Sequence, residues 1–239
     1  MQVRFYDGDD EIIQEIIEED FWKKLPGDRH LLFKEEVSGE TINIRLPLGT
    51  WDIMDALVPK ILKYQPGDIV EVGMGESSQI FADHAYQKNT MLYSCDIQMG
   101  GMFKVFNEKL FENHICYIGR SEDFIKEYDG FPSIVFLDGE HRYEAVKREV
   151  GFFLPRLLSG GVMFLHDTYP PHERHIEPDD RGWSPGDVYK VRQELERNPE
   201  VDVFTWPYSA QNMGLTMVMK HQKDRPYWQK NGRGVNEVN

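Results

Sequence analysis

The strongest constraint on this chain is an alternation. Five short apolar runs, at 69–73, 91–96, 115–119, 133–138 and 162–167, are separated by stretches with helical spacing at 77–89, 103–111, 122–128 and 143–157. In the last of these, Tyr143, Val146, Val150, Phe153 and Leu157 follow at intervals of three and four. Strands that alternate with helices pair in parallel, and right-handed crossovers place the helices on both faces of the sheet. The expected fold is therefore a doubly wound α/β domain. The end of the pattern differs. A helix at 187–198 precedes strands at 201–207 and 213–220. The few residues between those two strands are too short for a parallel crossover, so they should pair antiparallel.

The α/β domain is expected over 47–220. It begins with a helix that Thr50 caps, with Trp51, Met54, Leu57 and Ile61 at helical spacing and a bend or break at Pro59. Residues 1–46 form an extension. Within it, residues 9–20 carry seven acidic residues and no basic one, and Ile12, Ile13, Ile16 and Ile17 fall on one helical stripe. The favoured reading is a helix docked by its isoleucines; a partner-binding helix is the alternative. A turn is expected at 25–30 and a strand or extended arm at 41–49. Residues 221–239 read as a polar tail.

Composition narrows the function. A formal net charge of −14 repels a phosphate backbone, which argues against nucleic acid. No stretch approaches the roughly 18–20 apolar residues of a membrane span, and the N-terminus lacks a signal-peptide pattern. Cys95 and Cys116 lie in expected strands without metal-type spacing and read as core thiols of a reducing compartment. The expected location is the cytoplasm, and a homo-oligomer is compatible with the sequence.

Ligands of open parallel sheets bind at the carboxyl ends of the strands. Here those ends carry Glu71–Gly73, Asp96, Gly119–Ser121, Asp138 and Asp167. Carboxylates are depleted in strands, so several at one edge point to a site. In the run 71–78, Gly73 and Gly75 allow a tight turn in which backbone comes close to a ligand, and Ser78 stands where a dinucleotide fingerprint has its third glycine. Asp96, at the end of the next strand, is placed to bind ribose hydroxyls. Ser121 either bonds an adenine edge or caps the helix that follows. Asp138 and Asp167 end strands expected to be neighbours, and such a pair can hold a hard divalent cation. His141, one turn after Asp138, can take a proton from a substrate hydroxyl; the alternative is that it caps a helix or orients Asp138.

Taken in order, EVGMGESS, CDI, IGRSEDF, FLDGEHRYE and GGVMFLHDTY resemble the class I S-adenosylmethionine-dependent methyltransferases. The nearest likeness is to the methyltransferase-like or cephalosporin-hydroxylase-like branch related to metal-dependent small-molecule O-methyltransferases. The resemblance implies a Rossmann-like methyltransferase fold, with a seven-stranded, mostly parallel sheet whose last strand is antiparallel. It implies S-adenosylmethionine as cofactor, held by Glu71, Gly73, Gly75 and Ser77 at the methionine part and by Asp96 at the ribose. Ile97 would lie beside the adenine, Ser121 near its edge, and Asp138 beside the methyl-donor sulfonium. Asp138 and His141 are the implied catalytic residues. Asp138 and Asp167 are the implied ligands of a divalent cation, Mg²⁺ or a transition metal, and His166 is the candidate third ligand beside them. His166 and Thr168 depart from the third polar ligand that metal-dependent relatives place beside the second Asp.

The function expected from this sequence is methyl transfer to a hydroxyl of a small-molecule acceptor, a sugar or natural-product intermediate. Residues 168–187, with four prolines, are long enough for a lid in which Tyr169, His172, His175 and Trp183 contact the acceptor; the alternative is a surface loop. Two other functions compete: a catalytically silent cofactor-binding or assembly protein, and an NAD-dependent oxidoreductase, which Ser78 and the reversed strand disfavour.

Overall fold

Three buried tetrads form the centre of the main sheet: β3 (Ile69–Val72), which includes Glu71, and the wholly apolar β6 (Ile134–Leu137) and β7 (Val162–Leu165). Every residue in them is buried, as parallel strands covered on both faces require. In this computed structural model the described residues are 30–34, 41–45, 50–98, 113–170, 173–176, 184–207 and 213–221. The expected acidic helix at 9–20, residues 25–29 of the turn expected at 25–30, the helix at 103–111, His172, Trp183 and the tail beyond His221 lie outside them, while His30 is described as the first residue of a strand.

The chain divides into two units, residues 1–48 and 49–239. In the first, β1 (His30–Lys34) and β2 (Thr41–Arg45) form an antiparallel pair with His30 opposite Arg45. This gives the expected extended segment a partner strand.

The second unit holds the sheet. Its remaining strands are β4 (Leu92–Asp96), β5 (His114–Ile118), β8 (Val201–Trp206) and β9 (Leu215–Lys220). The strand order is β5-β4-β3-β6-β7-β9-β8. β9 runs antiparallel to both β7 and β8, while the pairs from β5 to β7 are parallel. The expected doubly wound sheet with one reversed strand is observed. The order reverses at β3, which pairs with β4 on one side and β6 on the other.

Two apolar layers cover the sheet. One packs α1 (Thr50–Tyr64) and α2 (Glu76–Lys88) through Met54, Val58, Leu62 and Phe81 onto Phe136 and Phe164. The other packs α3 (Ser121–Glu127), α4 (Tyr143–Arg156) and α5 (Tyr189–Leu195) through Phe124, Val150, Phe153 and Val191 onto Val72, Leu137 and Leu165. Each fully buried phenylalanine contributes about 1.5–3 kcal/mol. Such packing carries α1 through Pro59 without a break, because Val58 and Leu62 are anchored on either side of it. Thr50 is the first residue of α1 rather than its cap, and its hydroxyl is used elsewhere. Cys95 and Cys116 are both free. Among the described residues no helix is long and apolar enough to cross a membrane.

Candidate active site

The carboxyl ends of β3, β4, β6 and β7 meet at one edge, and the sheet's ladder runs right up to the residues that matter. Gly73 N–H donates to the Cys95 carbonyl at 2.8 Å, Asp138 N–H to Val72 at 2.8 Å, and His166 N–H to Leu137 at 3.0 Å. Each candidate side chain therefore sits one step beyond a fixed backbone.

The loop after β3 is held from two sides. Glu71 is fully buried, and its carboxylate accepts from the hydroxyls of Ser77, of Ser78 at 2.8 Å and of Ser94 at 2.8 Å. The last bond follows from register, since Glu71 and Ser94 are cross-strand partners. Burial pushes the Glu71 carboxyl up to about 7 although all three serine bonds oppose the shift. Glu71 is thus enclosed rather than presented to a ligand, and it acts on the loop through those serines. Asp96 secures the other side. It accepts from Met74 N–H at 2.8 Å and Gln98 N–H at 3.0 Å. Gly73 has φ +89°, and a Cβ there would lie 2.0 Å from the Asp138 carbonyl oxygen. Gly75 is different: among the described residues a Cβ there meets nothing within 4 Å.

Beyond β6 and β7, Asp138, His141 and Asp167 bring one donor atom each within 4.8 Å of the others. His141 Nε2 lies 3.4 Å from Asp138 Oδ1 and 3.5 Å from Asp167 Oδ2. Its Nδ1–H donates to the Ser184 carbonyl at 2.7 Å. Asp167 adopts φ +56°, a left-handed backbone uncommon outside glycine, and strain of this kind gathers at functional sites. His166 sits behind the cluster. Its Nδ1–H donates to Asp138 Oδ1 at 2.9 Å, its Nε2 meets the Thr50 hydroxyl at 3.3 Å, and its ring stacks on Trp51 with centroids 5.6 Å apart.

The charges of this cluster are interlocked. Burial disfavours a charged His141, but the hydrogen bond to Asp138 and the charges of Asp167 and Asp138 outweigh it and lift the imidazole to about 9. His166 rises to about 9 by the same contest, burial against Asp138 and Asp167. Burial also pushes Asp138 up, yet the two histidines hold it well below the usual carboxylate range. Asp167 is raised, by burial first and then by Asp138 against the pull of His166.

The other expected positions divide. Ile97, the residue after Asp96, is largely exposed, with 74 % of its surface free. Ser121 is the first residue of α3 and makes no cap; its hydroxyl faces the buried Glu149, whose carboxyl burial raises to about 7. Thr168 is buried and spends its hydroxyl on Thr216 at 2.7 Å, so it offers nothing to the cluster. Tyr169 is part-exposed beneath the Arg192 guanidinium, 5.0 Å from its ring. The His175 carbonyl accepts from the Ser184 hydroxyl at 2.5 Å. Sequence reading missed Thr50, Trp51 and Ser184. None lies near the strand ends in sequence, and no spacing rule points to them.

Residues 70–168 match a protein family described as a methyltransferase domain. No curated protein matches the sequence. Among solved structures, the chain is similar to TomG, an O-methyltransferase from Streptomyces achromogenes involved in tomaymycin synthesis and solved with S-adenosylmethionine. Identity is 16%, the match covers 74% of this chain and 82% of that one, and the TM-score is 0.54. An O-methyltransferase from Bacillus cereus in complex with S-adenosylhomocysteine aligns at 11% identity, covering 74% and 84%, with a TM-score of 0.52. MycE, a methyltransferase of the mycinamycin biosynthetic pathway solved with Mg, S-adenosylhomocysteine and mycinamycin VI, aligns at 15% identity over 76% of this chain and 53% of its own, with a TM-score of 0.51.

The domain has the class I methyltransferase fold. The resemblance read from the sequence motifs is borne out. In this fold the space at Gly75 can be tested. Gly75→Ala should leave the thermal midpoint within about 2 °C of wild type, because among the described residues the new methyl meets no atom beyond its chain neighbours. The same methyl would fill space where a ligand's atoms approach the backbone. Calorimetry should show S-adenosylhomocysteine binding weakened by about tenfold or more. Unchanged affinity would place the cofactor elsewhere.

Proposed function

We propose that this chain transfers the methyl group of S-adenosylmethionine to a hydroxyl of a small molecule, a sugar or a natural-product intermediate. One observation carries the reading. The glycine loop and the Asp138–His141–Asp167 cluster share a boundary, with Gly73 packed against the Asp138 carbonyl. A methyl donor held by the first would lie beside groups able to activate an acceptor in the second. The solved neighbours with S-adenosylmethionine or S-adenosylhomocysteine support the cofactor, and MycE with Mg supports a cation.

The residues present fit both groups. When bound, the cofactor supplies an electrophilic methyl on a sulfonium, and in-line displacement asks the protein mainly for alignment. Asp96 fastens Met74, and Glu71 fastens Ser77 and Ser78, so the loop is formed before a ligand arrives. Asp138 and Asp167 would hold the cation, which when bound lowers the pKa of a nearby hydroxyl and of His141. His141 Nε2 then removes the acceptor's proton, while Asp138 and Ser184 orient the ring. His166, Thr50 and Trp51 keep Asp138 in place.

The sign of the pH dependence follows. Without a cation His141 titrates near 9, so below that pH it is an imidazolium and cannot act as a base. Metal-stripped enzyme should gain rate as pH rises through about 9. Added divalent ion should move that limb to lower pH and raise the rate at neutral pH by up to ~30-fold. The test uses labelled S-adenosylmethionine and a panel of hydroxylated acceptors, with and without Mg²⁺, Mn²⁺ and Zn²⁺. Calorimetry with S-adenosylhomocysteine runs beside it. Absence of both binding and transfer would overturn the reading. Transfer with an unmoved pH limb would remove the cation from it.

A further inference from the structure

The segment from Ser184 to Asp187 is far in sequence from the strand ends, yet it grips the start of α4 at three points. The Ser184 carbonyl accepts from His141 Nδ1–H at 2.7 Å. Gly186 has φ +58° and packs so tightly on the His141 carbonyl that a Cβ there would lie 2.0 Å from its oxygen. Asp187 Oδ1 accepts from Tyr143 N–H, the first amide of α4, at 2.6 Å. The segment is itself braced. The Ser184 hydroxyl donates to the His175 carbonyl at 2.5 Å and accepts from Gly186 N–H at 3.3 Å, and Lys190 pairs with Asp187 Oδ2 at 3.0 Å.

The chemistry at the first point is decisive. A carbonyl oxygen can only accept, so Nδ1 must carry a proton. The 2.7 Å bond at Nδ1 is much shorter than the Nε2 contacts, 3.4 Å to Asp138 and 3.5 Å to Asp167, so a neutral His141 keeps its proton on Nδ1 and its lone pair on Nε2. That nitrogen is the one facing Asp138 and Asp167. The other tautomer would set two lone pairs against each other at Ser184, and a flipped ring would put a ring carbon there. Partners of this kind are how a protein fixes which imidazole nitrogen works.

We propose that residues 184–187 form a positioning strap for His141, with the Ser184 carbonyl selecting the tautomer and Gly186 setting the distance at which it does so. The proposal rests on the methyl-transfer reading for its effect on rate. The strap itself is a statement about one ring's protons and place. It assigns work to the end of the long connection after β7: whatever contacts the acceptor, this end serves the base. Glycine is required at 186 because both the left-handed backbone and the closeness to His141 exclude a side chain.

The test compares Gly186→Ala and Ser184→Ala with wild type. Gly186→Ala forces the strap off His141. It should lower kcat by about 10–100-fold while leaving S-adenosylhomocysteine affinity within about twofold. Ser184→Ala adds no atoms, removes the brace to His175, and should lower kcat less, by about 3–10-fold. Long-range ¹H–¹⁵N spectra recorded over a pH series, and read on the alkaline side of the ring's observed titration, show the tautomer directly. Wild type should show His141 protonated at Nδ1 alone, and the variants a mixture. Should Gly186→Ala fail to fold, the Ser184→Ala spectrum decides. A folded variant with wild-type kcat and a single Nδ1–H tautomer would overturn the strap. A wild-type protein that transfers no methyl would overturn the methyl-transfer reading instead, and the spectra would still judge the strap.

Discussion

For the proposed reaction, His141→Gln should lower methyl transfer by about 10²–10⁴-fold and leave S-adenosylhomocysteine binding nearly unchanged. The range is that of a lost general base. Binding is spared because the ring's polar contacts are to Asp138, Asp167 and Ser184, not to the glycine loop. Stability gives a second readout with a defined sign. His141 is raised from its ordinary 6.5 to about 9 in the folded chain. The stability it contributes is therefore fully present below pH 6.5 and is lost as pH rises through about 9. In metal-free protein the variant should be less stable than wild type at pH 6, and the two should converge above pH 9. Denaturant titrations at both values check this. A variant with wild-type turnover would end the assignment of His141 as base, whatever its stability.

Gly73→Ala should damage the fold itself, and here the contrast with Gly75 is informative. The two glycines lie two residues apart, yet a Cβ at Gly73 would stand 2.0 Å from the Asp138 oxygen, 2.4 Å from its carbon and 2.8 Å from Gly139 N. All three obstacles are backbone, in the strand end that pairs with β3, so none can turn aside. The φ of +89° adds a conformational cost for any L side chain. A loss on the order of 3–4 kcal/mol follows, or roughly 10 °C in midpoint for a chain of this size. Thermal unfolding followed by circular dichroism measures it. A midpoint equal to wild type would mean that the ends of β3 and β6 are not held as closely as described.

How much of this was legible in the sequence depends on the range of each interaction. The continuous apolar runs ending near Leu137 and Leu165 announced strands buried on both faces, as did the run to Val72 despite Glu71, and the short gap before Met213 announced the reversed strand. The rule that sites gather at strand ends then selected Asp96, Asp138 and Asp167, because a residue one step past a strand is positioned by the ladder. Contacts made across the fold were not legible. Thr50 meets His166 across 116 residues and Ser184 meets His141 across 43, and no local pattern encodes either. Histidine roles blurred for the same reason. The motif named His166 among the cation ligands, whereas the cluster within 4.8 Å contains His141, and His166 bridges Asp138 and Thr50. Glu71 sits in a motif that reads as ligand-binding, but the three serines that enclose it come from β4 and α2, which strand-end logic does not rank.

The place of β9 between β7 and β8 has a consequence for how the chain emerges from a ribosome. β7 is complete at Leu165, but its outer neighbour does not begin until Leu215. For the roughly fifty residues of synthesis between them, on the order of several seconds, the wholly apolar β7 presents unpaired amides and carbonyls along a bare margin. β8, made before β9, cannot cover it, because its own partner in the sheet is the strand still missing. A nascent chain halted in this window would carry nearly all of the candidate site and still be exposed to adhesion with its neighbours.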